Sequence, residues 1–554
     1  LIRRKSFIGI FIAVLMLSIS TTAFAKEKDE GSEYKNLASG LSYEISHAPE
    51  SYIDSGNELT DGQYGENDFN NPSWQGHVRG GTRSVVFDLG KEKSIQKITA
   101  NFLRDSKIAI FYPVAVSYYV STDGEHWKNV SNLSSANALW GAGPGETDKL
   151  LWDGNVDGIP DESKNTTMAY ARYVKVEFIP EMWAFIDEIE IWGYDEKVKG
   201  AKKVNPKEAE YLAPSKKTSN GIEDLVLLYN GQYPNGRGNW TKEKIMPYIT
   251  YVGEDGEPQD WMYDGVLYLG IRSEQGRDLG TIVNPANKED WQWYMDKTFA
   301  ENGDLSQLNE ATKEAAQKLK KKNKKTKVVL TVPYPSVAQS DFGDIDGDGV
   351  SENFDDVQVG EDVSYQNRKK AIDWYLRELF NKWNKENYSN LELSGIYWMN
   401  ENVENDVSHE EEVIQYTSEL VHSKDLKFYW IPNWYSNKSH AWEELGFDAA
   451  ALQPNHFFYD NVDHRIPDGA HRAKQYGMGV EIEFDERLLS EPGNYLQKYL
   501  NYLNGGVDYG YMDNTFKAYY QGNDTILQAA TSDDPEKRAL YDMMYMFLKG
   551  IYTK

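Results

Sequence analysis

Two acidic segments of this chain carry residues that could do chemistry together. One closes an apolar run, Trp398-Met399-Asn400-Glu401-Asn402; the other alternates, Val480-Glu481-Ile482-Glu483-Phe484-Asp485. Side chains of an extended strand alternate between its faces. Gly395, Tyr397, Met399 and Glu401 therefore share one side of the first segment, and Glu481, Glu483 and Asp485 share one side of the second. Two carboxyl groups over a common pocket are what glycoside hydrolysis requires: one protonated, to give its proton to the leaving oxygen, and one ionised, to attack the anomeric carbon or activate water. Glu401 and Glu483 are the candidate catalytic pair, with Glu481, one pleat repeat deeper, in support. A retaining reaction needs carboxyl groups about 5–5.5 Å apart, and an inverting one about 6.5–9.5 Å.

A third acidic segment points to a cation. Asp344, Asp346, Asp348, Val350, Glu352 and Asp355 stand at positions 1, 3, 5, 7, 9 and 12 of a loop with Gly349 at position 6. That is the oxygen-donor spacing of a calcium loop, Val350 offering its carbonyl and aspartate replacing the usual final glutamate. The role expected is structural. Asp153-Gly154-Asn155-Val156-Asp157-Gly158 is a poorer copy that reaches Lys164 without a final acid.

Positioning the two carboxyl groups takes a frame that brings distant strands together. Beyond Gly221, apolar runs alternate with helical patterns. Strands are expected at Asp224-Tyr229, Gly265-Leu269, Lys327-Val332, Leu393-Met399, Lys427-Ile431, Phe447-Leu452, Gly479-Phe484 and Gly506-Met512. Helices are expected at Lys288 to Lys320, Gln366 to Lys385, His409 to His422, Tyr495 to Leu503 and Pro535 to Gly550. Eight such strands predict a (β/α)8 TIM barrel over 221–554, whose reactive groups sit at the C-terminal strand ends. Glu401 would then end the fourth strand and Glu483 the seventh. Asn400, Asn433, Trp434, Asn455, His456, Tyr459, Tyr511, Asp513 and Asn514, together with Asp264, are the remaining rim candidates for holding sugar hydroxyls. His456 lacks the clustered ligands of a metal site.

From Leu37 to Tyr194 the runs are shorter and alternate, as in Ser84-Val85-Val86-Phe87-Asp88-Leu89-Gly90, which predicts an antiparallel β-sandwich. A lysine-rich stretch over 195–220 reads as a linker. Residues 1–25 read as an export signal: Arg3, Arg4 and Lys5, an apolar run too short for a bilayer, then Ala23-Phe24-Ala25. The expected product is secreted and keeps no stable membrane insertion. The formal charge of −28, which becomes −31 without the three leader cations, argues against nucleic acid as a partner. With no cysteine, lipid attachment through a lipobox, disulfides and thiolate chemistry are excluded. Aromatic residues make up 13% of the chain, in keeping with a protein that stacks sugar rings.

The N-terminal unit resembles the discoidin-like, coagulation factor type C family of carbohydrate-binding jelly rolls. The likeness rests on Leu59-Thr60-Asp61-Gly62, Val86-Phe87-Asp88-Leu89-Gly90, Ala171-Arg172-Tyr173-Val174-Lys175-Val176 and Ile186-Asp187-Glu188-Ile189-Glu190-Ile191-Trp192-Gly193. It implies a structural calcium near Asp61 and Glu188, and makes Trp74, Arg104 and Trp183 candidate sugar contacts. Asn400-Glu401 at the end of a fourth strand resembles the acid/base motif of retaining TIM-barrel glycosidases, with Glu483 in the place of their nucleophile. The C-terminal half as a whole resembles an uncharacterised bacterial TIM-barrel family, a domain of unknown function, which implies no activity. The leading expectation is a secreted glycoside hydrolase acting on a polysaccharide or glycan. The alternative is a non-catalytic, calcium-stabilised carbohydrate-binding or adhesion protein. Neither a Gly-x-Ser-x-Gly elbow nor a His-Glu-x-x-His helix is present to support hydrolysis of another bond.

Overall fold

The computed structural model describes residues 33–52, 54–134, 146–153, 168–280 and 283–554. The leader and residues 154–158 of the poorer acidic loop lie outside them.

The N-terminal unit is an antiparallel β-sandwich built around one long strand, Arg83–Arg104. Its register breaks between Asp88 and Lys93, where Gly90 takes φ +80°, a conformation that costs glycine little. Before the break the strand pairs with Ala169–Ile179, a pairing that runs on to Ile95, and beyond it Trp183–Tyr194 and Glu146–Asp153 also flank it. The bend lets one segment serve two sets of neighbours. Alternation buries Val85, Phe87, Ile98 and Phe102 against Val174, Val176, Phe178, Ile189 and Ile191.

The C-terminal unit is a closed barrel of eight parallel strands: β1 (Asp224–Tyr229), β2 (Gly265–Leu269), β3 (Thr326–Val332), β4 (Leu391–Trp398), β5 (Lys427–Trp430), β6 (Ala449–Leu452), β7 (Gly479–Glu483) and β8 (Lys517–Tyr520). Leu225 on β1 lies opposite Ala518 on β8, which closes the ring. The strands read as nearly continuous apolar runs because both faces are covered. Gly395 on β4 is required by close approach: a methyl group there would stand 2.4 Å from the Tyr429 ring and 2.1 Å from the Lys427 carbonyl. The β3–β4 register slips at the same place, with Val328 opposite Leu393 but Val329 opposite Gly395.

Helices cross between successive strands at every step but one. From β5 to β6 the chain makes only the short 3₁₀ turn Ser439–Ala441. The sandwich packs there: the Ser134 amide donates to His440 Nδ1 at 3.1 Å, and Tyr476 OH donates to the Leu133 carbonyl at 3.3 Å. Sandwich residues Val114, Ala115 and Ile179 join the same buried apolar cluster as the barrel.

Two expectations need correction. Residues 506–509 are not strand but the last turn of the helix Pro492–Tyr509, and the eighth strand comes later. The alternating Val507, Tyr509 and Tyr511 imitate period two. The helix instead buries Tyr499, Tyr502 and Leu503 and leaves Val507 and Tyr509 exposed. Nor is 195–220 a free tether. Lys202–Lys203 pairs with Ala169 and Tyr170 in the sandwich, while the backbone of buried Leu212 bonds to Met478 and Phe516 in the barrel.

Among the described residues no helix is long and apolar enough to cross a membrane.

Candidate active site

Glu401, Glu481 and Glu483 meet at the C-terminal mouth of the barrel. Glu401 stands just past β4. By surface area it is exposed to solvent, although many protein atoms lie around its carboxyl. Burial pushes its carboxyl above the usual range, against hydrogen bonds from Gln453 and Asn433 that favour the ionised form. Asn433, past β5, also donates its backbone amide to the Glu401 carbonyl at 3.0 Å.

Glu481 and Glu483 both lie on β7, two residues apart on one face of the strand. Glu483 is 1% exposed and is caged by donors: the Asn455 amide at 2.7 Å and Tyr502 OH reach Oε2, and Asn455 Nδ2 reaches Oε1 at 3.0 Å. Glu481 is 3% exposed, and no hydrogen bond holds its carboxyl among the described residues. Burial raises both, and the charges of Glu483 and Glu401 push Glu481 further. A proton shared by the β7 pair therefore resides on Glu481, and the negative charge settles on Glu483, where three donors face it. Sequence alone did not reveal Gln453 or Tyr502: one follows β6, the other lies mid-helix, and neither belongs to an acidic motif.

Half-buried aromatic rings flank this mouth. Tyr229 ends β1 with its ring centroid 6.0 Å from Tyr233 and 5.9 Å from Tyr520, and Phe458 lies 5.4 Å from Tyr520. The burial that keeps the Tyr229 phenol neutral is reinforced by the charges of its neighbours, Glu401 and Glu481 among them.

Other rim candidates are placed elsewhere. Trp434 is wholly buried, with its Nε1 donating to Glu181 of the sandwich at 3.1 Å and its ring covered by Arg465 and Arg472. No face remains for a sugar. Asn400 spends its amide on its own loop, donating to Glu404 at 3.2 Å and accepting from the Asn402 amide at 3.1 Å. His456 is buried between the Val462 carbonyl and Asn501, and Asn455 serves Glu483 instead of the pocket. Tyr511 and Asp513 precede β8 and so belong to the opposite end of the barrel, as does Asn514, whose amide reaches Glu223 at 2.8 Å. Asp264 is at that end too, accepting from the Asp224 amide at 3.1 Å. Asp485 is bound by Arg487 at 2.7 Å. In the sandwich, Trp74 is core, Trp183 packs edge-on against Phe185, and Arg104 lies over Tyr112.

The acidic loop after β3 converges in part. Oxygens of Asp344, Asp346 and Asp348 lie within 4.8 Å of one another, a donor set suited to a hard cation. Glu352 instead shares Lys370 with Asp346, each at 2.7 Å, and Asp355 turns away to cap the helix Asp356–Val359 through the Val357 and Gln358 amides. The Val350 amide bonds Asp348 at 2.8 Å. The Asp355 carboxylate, expected at the twelfth position, completes a helix end and is not among the three converging acids.

In the sandwich, Glu188 is buried with Oε1 lacking any hydrogen bond and Oε2 accepting from the Gly62 amide at 3.1 Å. Burial, reinforced by the neighbouring Asp61, Glu190 and Asp187 charges, pushes its carboxyl up to about 8. Glu188 thus holds a buried oxygen without a hydrogen bond beside the charges of Asp61, Glu190 and Asp187.

Fold and site together define a two-domain protein, a β-sandwich fixed to a closed parallel barrel with carboxyl groups at its mouth. Residues 224–546 match the family model described as "Domain of unknown function (DUF4855)", and the chain belongs to that family. Residues 42–189 match the F5/8 type C domain. Among curated proteins none matches the chain. Some solved structures are similar to part of the chain. Chitosan-binding module 1 from a Paenibacillus sp. IK-5 chitosanase/glucanase is 17% identical, over 29% of this chain and 99% of the module, with TM-score 0.20. CpGH89CBM32-6 from Clostridium perfringens is 20% identical, over 29% of this chain and 99% of that one, with TM-score 0.18. A Ruminococcus gnavus GH29 fucosidase is 14% identical, over 30% of this chain and 28% of the enzyme, with TM-score 0.18.

Proposed function

We propose that this protein is a secreted glycoside hydrolase that cleaves a polysaccharide or glycan by a retaining, two-carboxylate reaction on a (β/α)8 barrel. The observation that carries the reading is the meeting of Glu401 from β4 with the β7 pair at one barrel mouth. Glu401, held protonated by its crowded surroundings, gives its proton to the leaving oxygen. Glu483, its charge held by Asn455 and Tyr502, attacks the anomeric carbon through Oε1, the oxygen with fewer donors. Glu401 then takes a proton from the water that releases the sugar. Tyr229, Tyr233 and Tyr520 supply the platform for sugar rings, and the F5/8 type C sandwich supplies affinity for the polymer. Bacterial and plant polysaccharides should be screened for released reducing ends, with the first product followed by proton NMR. Initial appearance of the substrate's own anomer supports retention, and the opposite anomer rejects it.

A second reading, non-catalytic glycan binding, draws on the closed cage around Glu483. Under it no polysaccharide in the screen is cut, and glycan binding survives both Glu401→Gln and Glu483→Gln.

We further propose that Asp344, Asp346 and Asp348, and separately Asp61 with Glu188, hold structural calcium. An extracellular-type site, with affinity of about 10⁻⁴–10⁻³ M, would stabilise the protein by about 1.4–2.7 kcal/mol in roughly 10 mM calcium. Calorimetry should find the melting temperature raised by calcium and lowered by chelator. That response should shrink in Asp344→Asn/Asp346→Asn and shrink separately in Glu188→Gln. A melting temperature indifferent to calcium in the parent protein would reject both sites.

A further inference from the structure

The sandwich reaches the candidate active site through one side chain. Glu181 lies in the turn between the strands Ala169–Ile179 and Trp183–Tyr194, and is 4% exposed. It accepts from Trp434 Nε1 at 3.1 Å, Tyr435 OH at 2.6 Å and Arg465 Nη2 at 2.7 Å. Arg465 opens the helix that follows β6 and is 1% exposed. Its guanidinium lies 5.2, 5.3 and 5.0 Å from the ring centres of Trp434, Tyr435 and Tyr459. Among the described residues Glu181 is the one carboxylate paired with it. Arg465 Nη1 donates to the Asn455 carbonyl at 3.1 Å, and Asn455 turns its amide and side chain to Glu483.

We infer that the sandwich is a working part of the active site: Glu181 is a positioning residue that, through Arg465, fixes Asn455 and with it the carboxyl of Glu483. Asn455 sits at φ +50°, a left-handed conformation that asparagine tolerates better than most side chains and that a hydrogen bond at its carbonyl helps to hold. Arg465 provides that hold at the Asn455 carbonyl. Removing the partner of a buried ion pair leaves an uncompensated charge, and here the carboxylate that faces the guanidinium comes from the other domain. Other side chains of the same helix make separate contacts with the sandwich: Thr82 bonds Asp468 Oδ1 through its amide at 2.9 Å and its hydroxyl at 2.7 Å, and His471 meets Glu177 at 2.9 Å. The link from Glu181 to the loop after β6 stands without any assumption about activity, whereas its catalytic consequence rests on Glu483 being the nucleophile.

The test compares full-length Glu181→Ala, Glu181→Gln and Thr82→Ala with the parent by hydrogen–deuterium exchange mass spectrometry. Residues 453–459 should exchange about tenfold faster or more in Glu181→Ala, less so in Glu181→Gln, and at the parent rate in Thr82→Ala, which loosens docking at Asp468 on the same helix without touching Arg465. Unchanged exchange in both Glu181 variants, or an equal change in Thr82→Ala, overturns the inference. Glu181→Gln, which keeps size and hydrogen-bonding capacity, decides the matter if Glu181→Ala fails to fold. On whichever polysaccharide the parent cleaves, kcat should fall with KM unchanged. The acid limb of the pH profile should also move to higher pH, because loosened donors favour the ionised form of Glu483 less. A changed exchange pattern with no turnover by the parent on any polysaccharide leaves the positioning role standing and removes the hydrolase reading alone.

Discussion

Glu401→Gln is expected to lower kcat/KM on a polysaccharide by about 10²–10⁴-fold, the usual worth of a general acid, with no loss of folding. The amide is nearly isosteric and can still bond Asn433 and Gln453, so the change falls on the proton. The sign of the pH effect follows from the same residue. Its carboxyl is raised by burial, so the parent loses its proton donor, and its rate, as pH climbs through that raised value. The Gln variant should lack this alkaline limb. Aryl glycosides with good leaving groups need little proton donation and should recover most of the loss. Glu483→Gln should abolish turnover on both kinds of substrate, since no leaving group replaces the attacking oxygen. Full activity in either variant would remove the assignment of roles, whatever the fold.

Glu410→Ala is expected to destabilise the barrel by about 3–5 kcal/mol, because it strands a buried arginine. Arg368 is completely buried in the helix Glu361–Glu386 and pairs closely with Glu410. The same guanidinium donates to the Pro335 carbonyl at 3.0 Å and the Ser408 carbonyl at 3.2 Å, and Tyr334 OH donates to Glu410 at 3.1 Å. These contacts tie the exit of β3 to the far end of the loop that begins at Glu401. Chemical denaturation should show the midpoint shift. The double variant Arg368→Met/Glu410→Leu should lose less than Glu410→Ala, since removing both charges leaves nothing uncompensated. A loss below about 1 kcal/mol in Glu410→Ala, the range of an exposed pair, would mean that water reaches the guanidinium.

The parts of the molecule legible from sequence are those whose signal is local. Alternation in Val114 to Ser121 and Ala171 to Phe178 announced the sandwich, and apolar runs such as Val328-Val329-Leu330 announced barrel strands. Glu401, Glu481 and Glu483 were found the same way, because a position at the end of an apolar run can be read along the chain. The eighth strand was misplaced because Val507, Tyr509 and Tyr511 mimic alternation, while the four-residue strand Lys517–Tyr520 is too short to show a period of its own. The helix Arg465–Tyr476, rich in charge and opening on Ile466-Pro467, carries its buried face partly as arginines, which hydrophobic periodicity does not count.

Side-chain partners were another matter. Trp434 and His456 follow strands as a sugar-binding residue would, yet both are buried, because Glu181 from the other domain claims one and Asn501 meets the other. Whether a polar group beside a strand end faces substrate or protein depends on what packs over it, and that covering comes from residues tens or hundreds of positions away. The chain by itself determined seven of the eight barrel strands, the acidic loop and the acidic strand ends at Glu401 and Glu483, since spacing along the backbone sets these. Only the tertiary structure decided that Asn455 and Tyr502 hold Glu483 while Glu481 lacks a donor, and that the sandwich stands where the barrel lacks a helix. Burial and pairing arise from contacts between distant segments, and no local pattern encodes them.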